Sequence, residues 1–228
     1  MIIGNGMVAS IFNKYDKVDN VVIFASGVSN STETRGVEFL KESNLLKGVI
    51  EQYKESLFVY FSSCSLEDKE LNSTPYHIHK KNMESLIQRK VPNYIIFRLP
   101  NIIGFNGNST NIINFLINKI RNNEEFVIYK NATRNIIDIE HLYQIVSYII
   151  DNKTYRNKVI NIAYGNNIRI IDIVHSIEVF LNMKSIFHIE NKGIDLKIND
   201  HDVAPIIQLL DIEQPSILTL LKKYKSQV

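Results

Sequence analysis

Tyr76 and Lys80 stand four residues apart in T-P-Y-H-I-H-K, around a proline-led start. A phenol alone is a poor acid or base at neutral pH. An ammonium beside it favours the phenolate, and the two together can move a proton. By composition about one Tyr-x-x-x-Lys match is expected by chance, so only its place in the fold can give this one meaning. Thr74 is a good helix N-cap and Pro75 suits a first helical turn, so a helix is predicted from Pro75 to Lys90. Residues four apart on a helix share a face, so Tyr76 and Lys80 project together. Shortly before them comes the turn Ser62-Ser63-Cys64-Ser65. A serine hydroxyl there could hold a carbonyl oxygen by a hydrogen bond. Near the N-terminus, Gly4-Asn5-Gly6-Met7-Val8-Ala9 reads G-x-G-x-x-A. Its glycines let backbone approach a pyrophosphate, and the helix it opens offers free N–H groups to anionic oxygens. The three stretches together suit hydride transfer, with a nicotinamide supplying the hydride and the protein the orientation and the proton.

These residues need a scaffold, and the pattern of apolar runs supplies one. Met1–Gly4 is a very short strand and Gly6–Tyr15 is helical. Val21–Ala25 and Leu57–Phe61 are continuous apolar runs, as buried parallel strands are. Arg35–Lys54 reads as a long helix, and Tyr94–Leu99 as a fourth strand after the Pro75–Lys90 helix. Parallel strands need helical crossovers, so β-α-β-α-β-α-β implies a parallel sheet with helices on both faces. In such sheets ligands bind outside the carboxyl ends of the strands, which is where Gly4–Ala9, Ala25-Ser26-Gly27, Ser62–Ser65 and Pro100-Asn101 fall. The second half is mixed. Helices are predicted over Asn111–Asn122, Glu140–Asp151 and Ile170–Leu181, with short strands at Phe126–Tyr129, Asn135–Asp138, Val159–Ile162 and Ser185–Ile189. Short helices follow near Val203–Leu210 and Ser216–Tyr224.

Composition narrows the function classes. The net charge of +2, with both signs interspersed, argues for no nucleic acid and no membrane surface as partner. One cysteine, Cys64, cannot form an internal disulfide, and the N-terminus lacks a secretory pattern; a cytoplasmic location is expected. Scattered histidines give no metal-ligand spacing, and no metal is expected. His77 and His79 are expected on the solvated face of their helix. The Asn-x-Ser/Thr sequons at Asn30, Asn72, Asn108, Asn131 and Asn152 read as chance.

The segments G-N-G-M-V-A-S, F-V-Y-F-S-S-C, S-T-P-Y-H-I-H-K-K-N-M-E, F-R-L-P-N-I-I-G, T-R-N-I-I-D-I-E-H-L and V-I-N-I-A-Y-G-N-N-I-R-I-I-D-I occur in the order found in the extended short-chain dehydrogenase/reductases that modify sugar nucleotides. The chain resembles a shortened member of that family. The resemblance implies an α/β fold: a Rossmann-like domain over residues 1–104 and a small, mixed substrate-binding region over 105–228, interleaved with the last sheet strands. It implies an NAD(H) or NADP(H) cofactor held by Gly4, Asn5, Gly6, Met7, Val8, Ala25, Ser26, Gly27, Tyr76, Lys80 and Pro100. Tyr76 would be the general acid/base, Lys80 would bind the nicotinamide ribose, and Ser63, with Ser62 as fallback, would complete the triad. Ser63, Cys64, Asn101 and Arg134 would meet a nucleotide-linked sugar. Cys64 could serve as a carbon acid/base with a histidine such as His141; a small buried residue at a strand end is the plainer reading. A homodimer through the helices at Arg35–Lys54 and Pro75–Lys90 is expected.

The departures from the family pattern matter as much. Only Asp16–Asn20 separates the Gly-rich helix from V-V-I-F-A, too short for a crossover, so two edge strands and the acidic residue that meets the adenosine ribose are missing. Cys64 and Ser65 stand where dehydratases carry an acidic pair, which argues against water elimination. The leading expectation is reduction of a keto group on a nucleotide-linked sugar. The alternatives are an epimerase, or a non-catalytic relative that binds sugar nucleotide.

Overall fold

The structure, a computed structural model, describes residues 1–105 and 111–225. Asn108, one of the sequons, lies outside the described residues. The first half runs β1 (Ile2–Ile3), α1 (Met7–Ile11), β2 (Val21–Phe24), α2 (Gly36–Tyr53), β3 (Leu57–Ser63), α3 (Pro75–Lys90), β4 (Tyr94–Leu99) and β5 (Asn101–Ile103). The second runs α4 (Ile112–Arg121), β6 (Phe126–Tyr129), β7 (Thr133–Arg134), β8 (Ile136–Asp138), α5 (Ile139–Asp151), β9 (Lys158–Asn161), β10 (Ile168–Arg169), α6 (Ile170–Leu181), β11 (Phe187–Glu190), α7 (Ala204–Leu209) and α8 (Ile217–Lys223). Two compact units result: Met1–Leu99 with Tyr143–Ile162, and Pro100–Leu142 with Ala163–Val228.

In the first unit a parallel sheet has the order β1-β2-β3-β4-β9. Its strands are mostly apolar because both faces are covered. On one face Val22, Phe24, Phe58, Tyr60 and Ile96 pack with Leu46, Val49 and Ile50 of α2 and Met83 and Ile87 of α3. On the other, Phe12 stacks on Phe61 with ring centroids 5.5 Å apart and packs on Tyr143 of α5. The helix expected over Gly6–Tyr15 ends early: α1 is a single turn, followed by a 3-10 turn at Asn13–Lys17. Asn20, left-handed at φ 61°, then reverses the chain straight into β2. No room is left for a crossover, so β1 is the edge strand and no strand pairs beyond it among the described residues.

The second unit holds three two-stranded pairs: β5 with β8, β6 with β11, and β7 with β10. The boundary falls at Leu99/Pro100 rather than after residue 104, because Asn101–Ile103 leaves the main sheet to pair with β8. The 135–138 strand therefore does not interleave with the main sheet as expected; β9 does, paired with β4. No helix among the described residues is long and apolar enough to cross a membrane.

Candidate functional site

Helix α3 begins as its sequence dictates. Thr74 Oγ1 accepts from the His77 backbone N–H and Pro75 fills the first turn. The Thr74 hydroxyl also meets His77 Nδ1, and His77 Nε2 lies 3.1 Å from the Ser65 carbonyl. A ring that accepts at Nδ1 and donates at Nε2 is neutral, which agrees with burial pushing the His77 pKa down. His77 thus ties the start of α3 to the serine turn, and this fixes where Tyr76 sits. Tyr76 is buried, 4% exposed, with the Lys80 ammonium 6.0 Å from its ring centroid.

His77 and His79 are buried, not solvated. The reason is that α3 covers the sheet with a wide stripe. His79 stacks on Phe39 of α2 at 4.7 Å and its Nε2 donates to Glu42 Oε2 at 2.9 Å.

Lys80 is buried and already partnered. Its ammonium donates to Glu42 Oε1 and to the Tyr60 hydroxyl oxygen, each at 3.1 Å. Tyr60 in turn donates to Glu42 Oε1 at 2.6 Å, and the Val28 N–H to Oε2 at 2.7 Å. Burial works against ionising Glu42, yet the Lys80 ammonium and the His79, Tyr60 and Val28 donors outweigh it and hold the carboxyl down to about 2. Burial raises the Tyr60 hydroxyl well above its ordinary value, so it stays a neutral bridge. Glu42 and Tyr60 escaped the sequence reading. A signal was present: Glu42, Leu46, Val49 and Ile50 form the buried stripe of α2, with one acid among apolar residues.

The two serines point to opposite faces of β3, as alternation along a strand requires. Ser62 shares the face of Tyr60 and pairs in register with Arg98, whose guanidinium binds Glu84 of α3. Ser62 is buried, and its hydroxyl finds no hydrogen-bond partner among the described residues. Ser63 points the other way, where its hydroxyl caps the next turn by accepting from Ser65 N–H. The side chain brought to the α3 face is therefore that of Ser62, the fallback, and not Ser63. Cys64 is 2% exposed and donates to the Arg98 carbonyl, and burial pushes its thiol up. That is the plainer reading of Cys64 and speaks against a thiolate carbon acid/base. His141 Nδ1 is 2.6 Å from the Tyr164 hydroxyl, and burial lowers the His141 pKa.

The Gly-rich loop is tested by what a side chain would meet. Gly4 has φ +131°, and a Cβ there would lie 2.5 Å from the Ala25 carbonyl oxygen, so the loop rests on the end of β2. At Gly6, the N-cap of α1, a Cβ would meet nothing within 4 Å. Gly4, Asn5 and Gly6 are exposed; Met7, Val8, Ala25 and Ser26 are half-buried; Gly27 is exposed. These residues, with the unpartnered Ser62 hydroxyl, fit the pyrophosphate and nicotinamide portion of a dinucleotide. The fit stops at the adenosine end, because β1 is the edge strand.

In the second unit, Asn101 Nδ2 donates to the Asn135 carbonyl, and Arg134 is exposed with its guanidinium on the Thr133 carbonyl. Pro100 is half-buried at the head of this unit. A cleft of about 940 Å³ is lined by Lys130, Thr133, Asn167, Arg169, Asp195 and Lys197 among others. Thr133 and Arg169, paired across β7 and β10, line it; Arg134 lies beside it in sequence but not in its wall. Among the described residues no cluster of His, Cys, Asp and Glu could hold a metal.

Comparison with solved structures places this geometry. The chain is similar to UDP-N-acetylglucosamine 4-epimerase from Bacillus cereus, with a TM-score of 0.68 and 17% identity over 95% of this chain and 79% of that one. It is equally similar to a dTDP-4-dehydrorhamnose reductase from Clostridium acetobutylicum, with a TM-score of 0.68 and 16% identity over 96% and 84% of the two chains. UDP-glucuronic acid 4-epimerase from Bacillus cereus in complex with NAD gives a TM-score of 0.70 and 16% identity over 95% and 76%. At these identities the likeness shows the fold, a Rossmann-like parallel sheet. No curated protein sequence matches. A sequence profile of the NAD dependent epimerase/dehydratase family matches residues 5–163. With most of its length matched, and with the Gly-rich loop from Asn5 on, the serine turn and the Tyr76–Lys80 helix inside the match, the chain belongs to the NAD dependent epimerase/dehydratase family.

Proposed function

We propose that this protein reduces a keto group on a nucleotide-linked sugar, using NAD(H) or NADP(H). The observation that carries the reading is the buried, unpartnered Ser62 hydroxyl on the sheet face covered by α3, the helix that bears Tyr76 and Lys80. The loop at Gly4–Val8 and the Ala25–Gly27 segment hold the cofactor by backbone. When bound, the nicotinamide supplies the hydride. Ser62 holds the carbonyl oxygen, and Tyr76 donates the proton to it as charge develops there. Lys80 donates to Glu42 Oε1 and Tyr60 at 3.1 Å and more weakly to Glu42 Oε2 at 3.5 Å, and a ribose hydroxyl takes over that longest bond.

The test is net consumption of NADH or NADPH with a keto-sugar nucleotide. Ser62→Ala is expected to lower turnover by about 10²-fold, the scale of losing one oxyanion donor, while Ser63→Ala costs less than about fivefold. Isomerised sugar without net cofactor consumption would replace the reductase with an epimerase. A second reading, a non-catalytic binder of sugar nucleotide, is favoured by the edge position of β1. It prevails if a nucleotide sugar raises the melting temperature and neither dinucleotide does.

A further inference from the structure

We infer that Glu42 is the positioning residue of this site, fixing both the Lys80 ammonium and the segment that follows β2. The inference rests on the functional reading above for its consequence, but the geometry behind it is independent of any ligand. One carboxylate from α2 accepts from the Val28 N–H after β2, from Tyr60 on β3, and from His79 and Lys80 on α3. Three neighbouring elements are therefore referred to a single pair of oxygens. A carboxylate has about four acceptor positions, so four donors saturate it. Lys80 cannot shift without leaving a nearly water-free carboxylate uncompensated: the two side chains are 3% and 2% exposed.

Gly27 shows how closely the segment after β2 is held. A Cβ at Gly27 would stand 2.8 Å from Lys80 Nζ and 3.0 Å from Glu42 Oε1. The backbone of Gly27 lies directly on the ion pair, and Val28 is hydrogen-bonded to it. The Ala25–Gly27 segment and Lys80 are two of the surfaces assigned above to the cofactor. Glu42 touches both, and its two oxygens are taken up by the four donors around them. Its effect on binding must run through them.

The first arm of the test needs no cofactor. Purified protein is pulsed with acetic anhydride, and acetylation of Lys80 and of the exposed Lys47 is followed by peptide mass spectrometry. In the wild type Lys80 should react at least about tenfold more slowly than Lys47, because its ammonium is committed. Glu42→Gln, with unchanged circular dichroism, should raise the Lys80 rate by about tenfold, and Glu42→Asp should lie between. Glu84→Gln alters the buried glutamate of α3 itself, which binds Arg98 and not Lys80, and should leave the Lys80 rate unchanged. If Glu42→Gln does not fold, Tyr60→Phe replaces it, with a rise of about threefold expected. A Lys80 rate that is the same in the wild type and in these Glu42 or Tyr60 variants overturns the inference.

The second arm measures NADH and NADPH affinity by fluorescence titration. Glu42→Gln should weaken the dinucleotide that binds by about tenfold, which is about 1.4 kcal/mol, and Glu42→Asp should restore part of it. Unchanged affinity in Glu42→Gln overturns the positioning role. A wild type that binds neither dinucleotide sinks the functional reading instead, and the acetylation rates then decide whether Glu42 holds Lys80.

Discussion

Two ion networks join α3 to its surroundings in the first unit, and they are built differently. Toward the end of the helix, Glu84 takes a two-pronged grip from Arg98 of β4, at 2.9 and 2.8 Å, and Glu67 takes a third bond at 2.7 Å. Each donor there has one acceptor, and both Arg98 and Glu67 keep contact with solvent, at 21% and 34% exposure. Toward its start, Glu42 gathers donors from β2's end, β3 and α3, and the Lys80 pair is almost dry. A guanidinium fork is a rigid, self-contained fastening. A point-charge ammonium has no such fork, so its direction is set by the carboxylate and the phenol that hold it. The first network fastens the helix; the second aims what the helix carries.

Three measurements can break or sharpen this contrast. The largest effect is expected from Lys80→Met, which strands the Glu42 charge and should cost about 3–5 kcal/mol in urea unfolding, against about 1–3 kcal/mol for Arg98→Met, which is itself partly solvated and one of whose two partners, Glu67, water can reach. Equal losses would erase the distinction. Next is pH. Folding lowers the Glu42 carboxyl from 4.5 to about 2, so its contribution is present above the unfolded value and is lost as pH falls from 4.5 toward 2. At about 1.4 kcal/mol per unit this is worth at most about 3 kcal/mol. The stability gap between wild type and Glu42→Gln should close across that window, and a constant gap would show that Glu42 is not ionised by its partners. The smallest effect belongs to Arg98→Lys, which keeps the charge but loses the fork; about 1 kcal/mol is expected, with no change in dinucleotide affinity.

Much of the scaffold was legible before any coordinates. Pro75–Lys90, Tyr94–Leu99 and Ile170–Leu181 begin and end where their caps and apolar periods put them. The Tyr76–Lys80 pair, the serine turn and the Gly4–Ala9 loop were visible as types and spacings. The misjudged residues share one cause. His77 and His79 look like solvent-facing positions until the serine turn meets the one and α2 the other, and Asn101–Ile103 falls to the first domain until β8 is available to pair with it. Ser62 and Ser63 were told apart only by face. A strand's period says that they differ, and not which one looks toward α3.

The sequence by itself determined the order of elements from β1 to β4, the short passage from α1 into β2 that makes β1 an edge, and the presence of a phenol, an ammonium and a hydroxyl at the right ends of the right elements. These follow from local propensity, capping and hydrophobic period, which act over a few residues. Only the tertiary structure decided that Lys80 answers to Glu42, 38 residues away, and that the hydroxyl beneath α3 is that of Ser62. Such choices depend on which faces meet across the sheet, and burial makes them decisive: in a nearly dry interior a charge or a hydroxyl must be matched by whatever the fold brings beside it.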